Sequence, residues 1–358
     1  MKPFVAVIMA GGRGQRFWPL STPERPKQFL DLGHSGRTLI QATYDRVLHL
    51  TGDPERVLVA TGRRYVGLVR EQLPAIAPVN LLIEPEGRDS APAVALAALT
   101  VHARYGDVIM GLFSSDHEIG DTDAFEDTLR GAIELAETHD GLVTVGIQPT
   151  RPATGYGYIE TGAPADGGFE VERFVEKPNL RTAESYLSSG RYLWNAGIFV
   201  WSTLAILEEL DRHAPELMEP LRRAFHEGEV GKVFPSLTKI SIDFAVMERT
   251  DRAYVVPGTF AWDDVGDWVS LERLLRQHAG EAGIDVVDTN TVVGRHVGMD
   301  TSGNIIYTED PDDVVVTLGV DDLVIVKRGN TVLLVRKDRV QDIKTLLQDE
   351  RLHELIDG

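Results

Sequence analysis

Phe4-Val5-Ala6-Val7-Ile8-Met9-Ala10 runs straight into Gly11-Gly12-Arg13-Gly14-Gln15-Arg16, and the chain then reaches Pro26-Lys27. A short apolar run closed by glycines reads as a buried strand that opens into a loop of side-chain-free amides. Arg13, Arg16 and Lys27 surround those amides with positive charge, so the guest the loop suits is a polyphosphate. The spacing is neither the Gly-x-Gly-x-x-Gly of dinucleotide-binding folds nor the Gly-Lys-Ser/Thr ending of a P-loop.

Beyond this loop, apolar runs at 56–60, 81–84, 108–114 and 142–148 alternate with stretches of helical period at 38–50, 64–73, 91–105 and 124–139. That order predicts an α/β fold with a mostly parallel sheet covered on both faces, whose ligands meet the carboxyl ends of the strands. The glycine loop, residues 84–90 and residues 114–117 each follow a strand and are expected to converge on one crevice. From about residue 150 a hairpin-like stretch at 155–175, a helix near 182–188 and an apolar run at 195–201 read as an inserted substrate lobe. A helix from 268 to about 278 precedes a β-rich tail at 286–335, and a charged helix at 338–356 follows. The expected division is a catalytic domain at 1–280 and a second, β-rich domain with a terminal helix at 281–358. Asn290-Thr291-Val292-Val293 echoes Asn330-Thr331-Val332-Leu333, too briefly for a solenoid repeat.

The 358 residues include 55 acidic and 36 basic side chains, a formal charge of −19. Such a balance argues against a sequence-independent grip on nucleic acid, so phosphate binding rests on a local basic cluster. With no cysteine, disulfides, thiolate nucleophiles and zinc-thiolate sites are excluded. No apolar run reaches the roughly 18 residues of a membrane span, and the first residues read as a strand and not as a leader, so a cytoplasmic protein without membrane contact is expected.

Asp116, in Ser114-Ser115-Asp116-His117, ends a strand where a carboxylate projects into the crevice. Magnesium in nucleotide enzymes is held by one or two carboxylates plus substrate phosphates, and Asp264, in Trp262-Asp263-Asp264-Val265-Gly266-Asp267-Trp268, supplies the second. Glu176-Lys177-Pro178 closes another strand. Adjacent side chains on a strand point oppositely, which would give Glu176 to sugar hydroxyls and Lys177 to a phosphate. Asn195, close to Gly197, and Gly157, in Gly155-Tyr156-Gly157-Tyr158, suit close approach by a hydroxylated ligand. The loop from Glu84 to Ser90 leads into an alanine-rich helix whose N-terminal amides can read a purine edge or hold an anion.

Taken in order, these motifs resemble the bacterial mannose-1-phosphate guanylyltransferases, a branch of the sugar nucleotidyltransferase family. The loop 11–16, Pro26-Lys27, Glu176-Lys177-Pro178 and the acidic site after the fourth strand are the wider family's. Pro26-Lys27-Gln28-Phe29, Arg88-Asp89-Ser90-Ala91-Pro92-Ala93, Thr154-Gly155-Tyr156-Gly157-Tyr158-Ile159, Asn195-Ala196-Gly197-Ile198-Phe199 and Trp262-x-Asp264-Val265-Gly266 point to the mannose branch. Two departures stand out: Ser114-Ser115 where relatives commonly have Pro-Ala, and Asp267 where many have Ser. The resemblance implies a Rossmann-like nucleotidyltransferase domain with a mostly parallel or mixed sheet, and a small β-helix-like tail often used in dimerisation. It also implies magnesium, GTP and mannose 1-phosphate as substrates, and GDP-mannose and pyrophosphate as products. The tail is too short for the fused isomerase domain of bifunctional relatives.

Under that reading the sugar phosphate attacks the α-phosphorus of GTP, with catalysis left to positioning and charge neutralisation. Asp116 and Asp264 would hold magnesium, Arg13 and Lys27 the departing pyrophosphate, and Lys177 the attacking phosphate. Gly11, Gly12, Gly14, Glu84 and Ser90 would bind the nucleotide, and Gly157, Glu176 and Asn195 the sugar. The rival readings are a nucleotidyltransferase for another hexose 1-phosphate, such as glucose 1-phosphate, and a non-catalytic regulatory subunit of the same fold.

Overall fold

The computed structural model describes residues 2–12, 14–280 and 283–352. They form two compact units that do not follow chain order: Met1–Gly11, Thr43–Ser115 and Ile119–Trp262 make the first, and Gly12–Ala42, Asp116–Glu118 and Asp263–Gly358 the second.

The strands as far as residue 263 are β1 (Phe4–Ala10), β2 (Val57–Gly62), β3 (Leu81–Glu84), β4 (Ile109–Ser114), β5 (Glu118–Ile119), β6 (Leu142–Ile147), β7 (Tyr158–Ala165), β8 (Gly168–Val175), β9 (Tyr192–Ser202), β10 (Ala253–Gly258) and β11 (Trp262–Asp263). Among the described residues nine of them form one sheet, in the order β3-β2-β1-β4-β9-β6-β10-β8-β7. Strands β1 to β4 pair in parallel, as the β-α-β order requires, whereas β9 runs antiparallel to both β4 and β6. The sheet is therefore mixed. The expected separate substrate lobe is not what forms. The β7–β8 hairpin joins this sheet, with β8 beside β10 and β7 antiparallel both to β8 and to the start of β9, and β9 enters the middle because its apolar side chains, from Tyr192 to Trp201, are buried on both faces. Beneath it lies the helix Ser90–Tyr105, whose buried alanines allow close approach to the strands.

In the second unit, Phe17, Leu20, Leu32 and Leu39 belong to segments without a strand of their own and bury against Trp268, Leu271 and Leu275 of the helix Trp268–Gln277 and against Tyr307, Val324 and Val326. Its strands are β12 (Ile284–Val287), β13 (Asn290–Val293), β14 (Arg295–Met299), β15 (Ile305–Thr308), β16 (Val314–Leu318), β17 (Leu323–Arg328) and β18 (Thr331–Arg336). β13, β15 and β17 stack in parallel, and β14 and β16 form a second parallel layer, the arrangement of a short β-helix. Buried Asn304 joins the rungs: its main-chain N–H and Nδ2 both donate to Asn290 Oδ1, at 3.0 and 2.8 Å, and its own Oδ1 accepts from Leu323 N at 2.8 Å. The Asn290/Asn330 echo is no rung, since Thr331–Arg336 folds back antiparallel on β17.

The expected helix at 338–356 is broken. A 3-10 stretch, Lys337–Asp342, leads into one helical turn, Ile343–Leu346, and Asp349 then caps the amide of Arg351 at 3.0 Å to start a new turn. Only Val340 and Ile343 have buried side chains there, too few to hold a continuous helix against the unit. Residues 353–356 of that expectation lie outside the described residues.

Candidate active site

The second unit centres its polar residues on Lys27. Pro26, extended at φ −63°, presents Lys27 as the first residue of a 3-10 turn. Gly14 lies directly against it. With φ +57°, and with a Cβ that would stand 2.4 Å from Lys27 Cβ, that position admits glycine alone. Lys27 is 4% exposed, and its ammonium meets three oxygens: Asp116 Oδ2 at 2.9 Å, the Asp264 carbonyl at 2.7 Å and the Val265 carbonyl at 3.0 Å. Its three N–H donors are thus spent inside the protein.

The loop that supplies those carbonyls is shaped by its neighbours. Asp263 accepts from Val265 N at 2.8 Å and pairs with Arg273 at 2.9 Å. Asp267 caps the helix Trp268–Gln277 reciprocally with Ser270, and its second oxygen accepts from Gln341 at 2.6 Å. That capping duty accounts for an acid at this position. Val265, wholly buried, is held at φ +43°, a conformation costly for a β-branched residue and offset here by burial and by the Lys27 bond.

Hard carboxylate oxygens at Asp116 and Asp264 are the donor chemistry magnesium takes. Bare main chain flanks both: a Cβ on Gly266 would lie 2.9 Å from Asp264 Oδ2, and one on Gly12 4.0 Å from Asp116 Oδ2. Among the described residues no group of three or more His, Cys, Asp or Glu side chains could hold a metal. Arg13 lies outside the described residues.

In the first unit two groups form. At the end of β3, Glu84 is 6% exposed, and its Oε1 lies 3.9 Å from where a Cβ on Gly11 would stand. Burial pushes its carboxyl up to about 7. Asp89, at φ +68°, caps Ser90 N at 2.8 Å, and the Ser90 hydroxyl accepts from Ile242 N at 2.8 Å. Ser90 thus ties its helix to the 240–242 segment.

Gly157, Glu176 and Asn195 make the second group. A Cβ on Gly157 would lie 2.6 Å from Glu176 Oε2 and 3.2 Å from Asn195 Cβ, so a side chain there would fill the space between them. The expected opposition of Glu176 and Lys177 fails. β8 ends at Val175, Lys177 turns to φ +49°, and its ammonium folds onto Glu176 Oε1. Sequence reasoning missed Asp243, which accepts from Asn195 Nδ2 at 3.2 Å. The available signal was a lone acid in the otherwise apolar run Ile242-Asp243-Phe244-Ala245-Val246-Met247.

Residues 5–280 match the family model described as nucleotidyl transferase, and residues 294–349 match that of the MannoseP isomerase/GMP-like beta-helix domain. The mannose-1-phosphate guanylyltransferase of Escherichia coli (strain K12) is 38% identical over 96% of this chain and 72% of its own length. The mannose-1-phosphate guanylyltransferase ManC of Salmonella typhimurium is 37% identical over 96% and 72%. A solved structure from Thermus thermophilus, described as a mannose-1-phosphate geranyltransferase, superposes with a TM-score of 0.85 at 38% identity, covering 98% of this chain and 99% of that one. The chain belongs to the nucleotidyl transferase family, on the branch of the mannose-1-phosphate guanylyltransferases.

Proposed function

We infer that this protein transfers GMP from GTP to mannose 1-phosphate, giving GDP-mannose and pyrophosphate. An oxygen of the sugar phosphate bonds to the α-phosphorus of GTP as the bond from that phosphorus to the bridging oxygen breaks, and pyrophosphate leaves with the electron pair. The sugar phosphate is already ionised near neutral pH, so positioning and charge carry the catalysis. Asp116 and Asp264 would hold magnesium, which when bound neutralises charge on the phosphates. Lys27 holds those two residues in register, and Arg13 is proposed to face the pyrophosphate. Glu176 and Asn195 take the sugar hydroxyls, and Lys177 takes its phosphate by leaving Glu176. Residues 1–280 serve as the catalytic part and 281–358 as the tail.

Glu84 carries the choice of base. Guanine alone presents two adjacent donors, N1–H and the exocyclic amine, and an ionised carboxylate offers two acceptors to match them. The matching form is the ionised one, so with a carboxyl at about 7 the kcat/KM for GTP is expected to fall about tenfold per pH unit below 7. Glu84→Gln presents one acceptor and one donor, which suits adenine better. The variant is expected to lose about 100-fold in kcat/KM for GTP, to lose that pH dependence and to narrow the ratio of GTP to ATP use. Pyrophosphate release over a grid of nucleoside triphosphates and sugar 1-phosphates, with and without magnesium, tests this. A wild-type preference for another base or hexose would overturn the assignment, and an unchanged GTP preference in Glu84→Gln would overturn the role of Glu84.

A homodimer is proposed through the tail. Val297 and Met299 of β14 and Val314, Val316 and Leu318 of β16 are exposed on one face, a contiguous apolar surface of the kind that subunit contacts cover. Sedimentation at micromolar concentration should find a dimer that Val316→Lys with Leu318→Lys converts to monomer; a wild-type monomer ends the idea. Among the described residues no helix is long and apolar enough to cross a membrane. A cytoplasmic setting, with neither membrane nor nucleic acid as partner, is proposed.

A further inference from the structure

The Asn195 amide is held on both sides. Its Oδ1 accepts from Gly197 N at 3.1 Å and lies 2.9 Å from Thr144 Oγ1, whose single hydroxyl hydrogen is shared with the Ile198 carbonyl at 3.1 Å. Its Nδ2 gives one hydrogen to Asp243 Oδ1 at 3.2 Å. The network fixes which end is nitrogen, and it leaves Asn195 one N–H to offer beside Gly157 and Glu176. Nothing in the proposed reaction uses Asp243.

We propose that Asp243 is a positioning residue of the hexose subsite, locking Asn195 as a one-way donor so that a sugar hydroxyl accepts from Nδ2 and passes its own hydrogen to Glu176. This rests on the sugar role given to Asn195 and Glu176 above. An amide free to flip would present its oxygen half the time and face the same hydroxyl with an acceptor beside the Glu176 acceptor. Asp243 opposes the flip by keeping an acceptor oxygen at Nδ2 while the Gly197 N–H meets Oδ1 at the other end, so a turned amide would lose both bonds. The local backbone is suited to such a lock. Asp243 opens a single π-helical turn, Asp243–Met247, and the preceding Ile242 N donates to Ser90 Oγ, so the carboxylate is held by the chain on both sides. Burial, and then the charge of Glu176, push its carboxyl up to about 7, with Lys177 opposing. A second full negative charge next to Glu176 is thereby softened while the acceptor remains.

Kinetics on the full chain test the lock by separating the two substrates. Asp243→Ala is expected to raise KM for mannose 1-phosphate about tenfold while KM for GTP stays within about twofold. Asp243→Asn can still turn an oxygen to Asn195 Nδ2, so it is expected to restore wild-type KM to within about threefold. Thr144→Val, close in shape, removes one hold on the oxygen end of the amide, leaving the Gly197 N–H, and is expected to give a selective rise of the same kind; it decides the matter if Asp243→Ala does not fold. In an Asn195→Ala background, Asp243→Ala should add nothing. Equal rises for both substrates, no rise, failure of Asp243→Asn to rescue, or full additivity with Asn195→Ala would each overturn the lock. A wild-type enzyme that makes no GDP-mannose would instead overturn the proposed function, so the two failures are told apart.

Discussion

Lys27→Met is expected to cost about 3–5 kcal/mol of stability and nearly all turnover, because removing one partner of a buried charge cluster leaves the others uncompensated. Methionine keeps the length and apolar stem of the side chain, so packing against Phe17 is largely retained and the loss is electrostatic. The Asp116 carboxylate would be left with a buried neighbour that cannot donate, and the carbonyls of Asp264 and Val265 would lose the bonds that meet them. The second loss matters more than its size suggests. Val265 keeps φ +43° against its own preference, and the Lys27 bond is one of the contacts that hold it there. Urea unfolding followed alongside pyrophosphate release measures both effects. Wild-type stability with lost turnover would mean that Lys27 acts on substrate directly and not through the loop.

Where function depends on local pattern, the sequence was readable; where it depends on long-range closure, it was not. β1 and β3 begin and end where the apolar runs do, because a short apolar run closed by glycine or proline has few other structures to enter. Gly157 lies just before β7, Glu176 just after β8 and Asn195 within β9, so the pairing of these strands in one sheet is what gathers them, and their polar or small character amid apolar runs is what made them legible. Lys27 was legible as a cation beside glycines, but the two carbonyls it meets sit 237 and 238 residues away and Asp116 lies in another distant segment, so its inward role could not be read. Asp243 was hidden the same way, its partner lying 48 residues back. The β-helix escaped because its rungs are unequal: Asn290 to Asn304 spans 14 residues and Asn304 to Leu323 spans 19, so no fixed period marks them. The opposition expected of Glu176 and Lys177 failed for a local reason, since strand alternation holds only while the strand continues, and β8 ends at Val175 before Lys177 turns into the left-handed region.

Asp264→Asn is expected to lower turnover by about 1,000-fold while the protein stays folded. The structure separates the two halves of this residue. Its main-chain carbonyl accepts from Lys27, and asparagine keeps that bond; its side chain, flanked by the bare Gly266, is what the variant changes. Asp116→Asn gives the contrast. There the side chain itself pairs with Lys27, so the same change in charge is expected to cost both turnover and stability. If both residues hold magnesium, raising its concentration should recover part of the lost rate in Asp264→Asn and less in Asp116→Asn, where the partner cation is disturbed as well. GDP-mannose formation, thermal melting and a magnesium titration on the three proteins distinguish these outcomes. Near-normal synthesis by Asp264→Asn would remove it from the metal site, and equal loss of stability in both variants would mean that the Asp264 side chain, like that of Asp116, is part of the scaffold.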